Sequence, residues 1–157
     1  MTSLPYPAAL NKALAGFQES GPTHHNCAQT MIFFAALRLG SPVEVTQIAR
    51  YLGGGIVRQG LTCGVLTGTA LALALAGSQL EWDEDATRIT SGQQDLQSLI
   101  SDFVTEFGAS DCATLTGCNL LTPEGSEKFR ESGAGQRCEA MVRWMMERLD
   151  QVLQKRV

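Results

Sequence analysis

Five cysteines carry most of the chemistry open to this 157-residue chain. Cys27, Cys63, Cys112 and Cys138 each fall at or near the predicted start of a helix, among backbone N–H groups that have no intrahelical partner. Such a place favours a thiolate over a thiol, and the thiolate is the form that attacks a disulfide or binds a soft metal. Cys63 is the sharpest case. It follows the run Gly53-Gly54-Gly55 and sits in Thr62-Cys63-Gly64-Val65-Leu66-Thr67-Gly68, where Thr62 is a candidate N-cap. Cys118 differs, lying after a glycine at the end of a short predicted helix, and stays unassigned. The plainer account of any one cysteine is a small buried hydrophobe.

Three chemistries suit this set. Cys27, Cys63, Cys112 and Cys138 together could hold an iron–sulfur cluster or another thiolate-bound metal, giving an electron carrier. Two of them could instead cycle between dithiol and disulfide with no cofactor, with Cys63 as the attacking thiolate and Cys27 or Cys112 as partner. A structural zinc ranks last, because no C-x-x-C pair occurs and an apolar helical chain does not need one to fold. Gly54, Gly55 and Gly64 are the candidate cofactor-binding glycines. They form no phosphate-binding loop, since no G-x-x-x-x-G-K-[ST] pattern occurs, and their plain reading is close backbone approach. His24 and His25 could ligate a metal or accept a thiol proton, although an exposed polar loop is the simpler reading of each. Arg58 could place a positive charge near Cys63 or be an ordinary surface arginine.

The elements that must position these residues read as helices throughout. Pro5 to Glu19 puts Ala9, Leu10, Ala13, Leu14 and Phe17 on one face, and Asn26 or Thr23 can cap a second helix that runs on to Leu39. Val43 to Leu52 reads as a short third helix with Val45, Ile48, Ala49 and Leu52 inward. The stretch from about 62 to 76 is apolar almost all round, so a buried central helix is expected there. Gly64, Gly68, Ala72 and Ala76 recur along it as a strip of small side chains that admits a close neighbour. Glu81 to Gly92 reads as a connecting loop, with Asp83, Glu84 and Asp85 solvated. Gln93 to Phe107 is helical again, burying Leu96, Leu99, Ile100, Phe103 and Phe107. Short helices follow at Cys112 and Pro123, Gly133 to Gly135 reads as a flexible turn, and a C-terminal helix begins at Cys138. Met141, Trp144, Met145 and Met146 on it are core or a contact with a second copy. The expected fold is all-α, a single helical domain over residues 1–157 around the central helix.

Composition narrows the partners. Formal net charge is −4 and the basic residues are scattered, so no nucleic-acid footprint exists. No apolar run approaches the roughly 20 residues that span a bilayer, and Met1 to Tyr6 lacks both a basic and an apolar segment. A cytoplasmic protein is expected, with an unidentified redox partner and homodimerisation open. Five cysteines in a reducing compartment suggest redox thiols or metal ligands rather than a disulfide framework.

In order along the chain come Asn26-Cys27-Ala28-Gln29, the glycine run before Thr62-Cys63-Gly64-Val65-Leu66-Thr67-Gly68, Phe107-Gly108 before Cys112, Thr122-Pro123-Glu124-Gly125, and Cys138. This pattern resembles the redox-active protein family named for its C…GCAxxG…C…C cysteines, from about Phe17 to Leu149. The resemblance implies redox activity or metal binding through Cys27, Cys63, Cys112 and Cys138, either as an oxidoreductase or as an electron carrier. A non-enzymatic metal- or cluster-binding accessory protein, linked to a transporter or another enzyme, is the alternative. Val65 departs from the family's C-G-A-x-x-G core, which has alanine there, and a bulkier side chain beside the cysteine could crowd a ligand. Cys118 is not one of the four pattern cysteines.

Overall fold

The computed structural model describes residues 2–78 and 86–155. Helices α1 (Tyr6–Gln18), α2 (Cys27–Leu39), α3 (Gly64–Ser78), α4 (Ala86–Phe107), α5 (Cys112–Thr116), α6 (Pro123–Glu131) and α7 (Ala134–Gln154) follow in order. Two 3₁₀ segments, Gly21–Thr23 and Val43–Ala49, join them. Among the described residues the only β pairing is an isolated antiparallel bridge between Thr62 and Asp111, so the fold is all-α as expected.

The strip of small residues on α3 does what its spacing suggests. A Cβ at Gly68 would lie 2.6 Å from the Ala28 carbonyl oxygen and 2.8 Å from the Met31 Cβ, so α2 and α3 touch almost backbone to backbone. Gly64, Gly68, Ala72 and Ala76 are all buried. Helix α2 shares the centre with α3, burying Ala28 through Ile32 and Phe34 through Leu37. Around this pair, α1 contributes Ala9, Ala13 and Leu14, and α7 contributes Met141, Val142, Met145, Met146, Leu149 and Leu153. The C-terminal methionines are therefore core. Trp144 stacks edge-on against Phe103 and Phe107 of α4 within the same chain. Arg38 on α2 pairs with buried Asp150 on α7 and also donates to the Leu4 carbonyl at 2.6 Å, fixing the far end of the bundle.

Four expectations change. Val43–Ala49 is a 3₁₀ segment that buries Thr46 and Ala49, while Ile48, expected inward, is 64% exposed. With three residues per turn, side chains spaced for an α-helix fall on a different face. The interval expected to be a loop from Glu81 to Gly92 is helical from Ala86 onward, and residues 81–85, including Asp83, Glu84 and Asp85, lie outside the described ones. That first part of α4 is exposed and polar, so it carries no buried stripe to announce it. On α4 only Leu99 and Phe103 are fully buried, with Leu96, Ile100 and Phe107 partly so. Finally, α7 begins at Ala134, one turn before Cys138, because Gly133 at φ 72° reverses the chain there instead of opening a flexible turn.

Candidate functional site

Each cysteine reaches the site by its own local device. Asn26 caps α2 in a reciprocal capping box: its side-chain oxygen accepts from the Gln29 N–H at 3.0 Å, and the Gln29 side chain accepts from the Asn26 N–H at 3.2 Å. Its amide also donates to the Arg50 carbonyl at 2.9 Å, anchoring α2 to the chain entering the glycine run. Cys27 is thereby fixed as the first residue of α2. Cys112 opens α5, with Asp111 accepting from the Thr114 N–H at 2.8 Å.

Cys63 stands just outside α3, its carbonyl accepting from the Leu66 and Thr67 N–H groups at 2.9 and 3.2 Å. The expected cap at Thr62 does not form. That residue is used instead in the bridge to Asp111, where the Cys63 N–H reaches the Ser110 carbonyl at 2.8 Å and the Cys112 N–H reaches Leu61 at 2.7 Å. This short ladder holds Cys63 and Cys112 side by side. Cys138 arrives from the second turn of α7.

The glycine run makes the turn that aims Cys63. Gly54, Gly55, Ile56, Val57 and Arg58 all have positive φ, between 43° and 68°, giving one continuous left-handed turn. For the β-branched Ile56 and Val57 this is a costly conformation. Gly53 is needed for contact, since a Cβ there would fall 2.7 Å from the Asn26 Cβ. Of the two readings of Arg58 the surface one holds: the exposed guanidinium donates to the Ser126 hydroxyl at 2.8 Å.

Cys27, Cys63, Cys112 and Cys138 face one cavity of about 260 Å³, walled by Phe17, Leu115, Phe129 and Met141 and flanked by His24. Gly54 and Gly64 line it too. Gly55 does not; a Cβ there would sit 2.5 Å from the Leu61 nitrogen, so it serves the turn. Val65 is fully buried in the core and takes no part in lining the cavity, so it crowds no ligand there. Cys118 is buried outside the cavity, its thiol donating to the Thr116 carbonyl at 3.3 Å. His25 turns toward α1, its ring edge-on to Phe33 at 4.9 Å, and burial lowers its pKa.

Residues 25–152 match the family model described as "Putative redox-active protein (C_GCAxxG_C_C)". The chain belongs to this family. No curated protein and no solved structure matches it.

In this C_GCAxxG_C_C protein the thiols differ sharply in acidity, and not as helix starts alone dictate. Burial pushes the Cys63 thiol up to about 12, although the Val65 and Leu66 N–H groups pull the other way. Burial likewise raises Cys112 to about 11, helped by the nearby Cys138. Desolvation of a charged sulfur outweighs the helix terminus in both. Cys63, expected as the attacking thiolate, is thus held protonated by its burial. Cys27 is raised well above the usual thiol range, first because it donates a hydrogen bond to Cys138 and then by burial. Cys138 is the one lowered, because it accepts that bond, with the Arg137 guanidinium adding to the effect against burial. Arg137 was missed in the sequence, where only its adjacency to Cys138 hinted at it. It is held in place by donating to the Thr116 and Ser132 carbonyls, each at 2.9 Å.

The donor set is soft, as a thiophilic metal would require. Among the described residues, however, no three His, Cys, Asp or Glu side chains are arranged to hold a single ion. Among them, too, no helix is long and apolar enough to cross a membrane.

Stability should carry the mark of these thiols. With Cys63 pushed up to about 12, the folded chain holds that proton more tightly than the unfolded chain, where a thiol titrates near roughly 8.5. The contribution is complete below the unfolded value and is lost as pH rises toward the folded one, at about 1.4 kcal/mol per pH unit. Cys138, lowered, acts in the opposite sense and at lower pH. The melting temperature of reduced protein is therefore expected to fall steeply above about pH 9, and Cys63→Ala should flatten the fall. A profile unchanged by that substitution would contradict the burial argument.

Proposed function

We propose that this is a thiol redox protein working through a reversible Cys27–Cys138 disulfide. The observation that carries the reading is that the Cys27 and Cys138 thiols face one cavity and act on each other, Cys138 raising the pKa of Cys27 and Cys27 lowering that of Cys138. Cys27 is half-buried, the more exposed of the pair, and Cys138 is buried. A partner thiolate can therefore approach the Cys27 sulfur of the disulfide, and Cys138 is the better leaving group because its thiolate is stabilised. In the other direction a partner disulfide takes two electrons from the pair. Cys63 and Cys112, kept neutral, complete an apolar, thiol-lined chamber around the exchange. A cytoplasmic setting fits, since reduced thiols persist there.

An iron–sulfur cluster held by Cys27, Cys63, Cys112 and Cys138 is the second reading, favoured by four thiols that face a cavity instead of a single point. One experiment separates the two. Anaerobically purified, reduced protein is treated with a small disulfide, then analysed for mass, peptide linkage, iron and sulfide. The expected product is lighter by two hydrogens, carries a Cys27–Cys138 bond and contains no stoichiometric iron. Cys27→Ser and Cys138→Ser abolish that product, and Cys118→Ser leaves it unchanged. A bond between other cysteines would reject the pair, and iron and sulfide retained in fixed ratio to the chain would favour the cluster.

A further inference from the structure

Among the described residues, no Lys, Arg, Asp or Glu lines the cavity that the four motif thiols face. Its walls are Phe17 from α1, Leu115 from α5, Leu120 from the loop that follows, Phe129 from α6 and Met141 from α7. Two polar side chains in the lining are already committed within the fold. The Asn26 amide donates to the Ala49 and Arg50 carbonyls, while its oxygen accepts from the Gln29 N–H. The Thr116 hydroxyl donates to the Cys112 carbonyl at 2.7 Å and accepts from the Cys118 N–H at 3.3 Å. His24 also borders the cavity but is exposed, its Nδ1 3.1 Å from the Glu19 carbonyl oxygen. Arg137, next to Cys138 in the chain, is not part of the lining, and its guanidinium donates to the Ser132 and Thr116 carbonyls.

We propose that this cavity takes up the substrate of the exchange, and that the substrate is a small, uncharged, apolar disulfide; the assignment rests on the Cys27–Cys138 reading above. An ammonium or carboxylate group drawn inside would lose its water and meet no partner. A disulfide carried on a peptide would bring backbone N–H and C=O groups that these walls cannot pair. An alkyl or aryl arm instead exchanges water for apolar contact. Size sets the upper bound. An apolar cavity of about 150 Å³ already takes up benzene. The cavity here, at about 260 Å³, admits a single ring or a short alkyl arm together with the sulfur that bears it. In the exchange, Cys27 bonds to one sulfur of R–S–S–R as that S–S bond breaks, and RSH leaves. Cys138 then bonds to the Cys27 sulfur, breaking the mixed disulfide and releasing the second RSH. The two thiol protons end on the two RSH, and two electrons pass from the cysteine pair to R–S–S–R.

The test compares diethyl disulfide with cystamine, which carries two ammonium groups, and with the disulfide of 3-mercaptopropionate, which carries two carboxylates. Each rate of Cys27–Cys138 bond formation is divided by the rate of the same reagent with a free small thiol, removing intrinsic reactivity. Using both signs of charge removes the bias of the chain's net charge of −4. Diethyl disulfide is expected to exceed both charged reagents by about 100-fold. From dimethyl to diethyl disulfide the rate should rise about fourfold for each CH₂ that enters the cavity. A corrected rate for either charged reagent comparable to that of diethyl disulfide would overturn the assignment. Gly135 supplies the variant. It lines the cavity within α7, and a Cβ there would meet only the Phe129 ring, at 3.9 Å. Gly135→Leu should therefore fill the cavity beside Phe129, keep or raise the melting temperature, and erase most of the preference for diethyl disulfide. Gly135→Ala, which adds only a methyl group, should do the same to a smaller degree; an intact preference in both variants would place the substrate elsewhere and overturn the assignment. Benzene, which cannot react, should raise the melting temperature of the parent more than that of Gly135→Leu, and no rise in the parent would reject the cavity as a binding site. A parent protein that forms no Cys27–Cys138 bond with any reagent would overturn the disulfide reading itself, which the benzene measurement does not touch.

Discussion

Reduced protein titrated by ultraviolet thiolate absorbance is expected to show one early transition, below the roughly 8.5 of a free thiol, and to lose it in Cys138→Ala. The cause is local. Cys138 accepts from the Cys27 thiol and lies beside Arg137, and these two effects together exceed the cost of burying its charge. The remaining motif thiols should ionise late. With Cys63 pushed up to about 12, only about one molecule in ten thousand carries that thiolate at pH 8. Cys112, raised to about 11, is only about tenfold better. With Cys138 lowered and Cys63 raised, Cys138 should ionise first and Cys63 among the last. The same substitution has a second effect with the opposite sign. Removing the acceptor deletes the largest cause of the Cys27 elevation, so the Cys27 transition should move down in Cys138→Ala. An early transition that survives the substitution would mean another cysteine carries the thiolate.

The largest stability effect is expected at Gly68. A Cβ there would meet the Ala28 carbonyl oxygen at 2.6 Å and the Ala28 Cα at 2.7 Å, both backbone atoms of a buried helix that cannot step aside. Gly68→Ala should therefore cost about 3 kcal/mol, the upper part of the overpacking range, even after the better helix propensity of alanine is counted. For a domain of this size that lowers the melting temperature by roughly 6–12 °C. Gly77 on the same helix is the control: nothing lies within 4 Å of its would-be Cβ, and Gly77→Ala should be neutral or stabilising by up to about 1 kcal/mol. Equal melting temperatures for the two variants would rule out the close α2–α3 contact. The site should feel the change as well. One turn earlier, a Cβ at Gly64 would already lie 3.1 Å from the Cys27 Cβ, so prising α3 from α2 draws the Cys63 side of the cavity away from Cys27.

Much of this was legible in the order of residues, wherever a short-range rule operates. Asn26, with Thr23 the alternative, reads as the cap of the second helix, and the structure completes it as a capping box with Gln29 that sets Cys27 at the first position of α2. Ser110 and Asp111 are both cap residues by type, and Asp111 is the one that caps α5 and places Cys112 at its start. The repeat of small residues from Gly64 predicted close helix packing because the spacing of a helix face is local geometry. The motif cysteines, read as a set, also pointed to one site and to the family.

What local rules could not contain lay in long-range pairing and burial. Thr62 looked like a cap, but its backbone is committed to Asp111, almost fifty residues away, and that bridge is what aligns Cys63 with Cys112. Helix starts favour thiolates, yet how deeply each start is buried depends on which other helices cover it. Desolvation in the assembled core reverses the expectation for Cys63 and Cys112. The thiol that is lowered is instead Cys138, a residue one turn inside its helix, acidified by a thiol from α2 and by its neighbour Arg137. From sequence alone came the helices, the family and the four sulfurs; their ranking came from tertiary structure, because a thiol's acidity is set by charges, donors and water excluded through space.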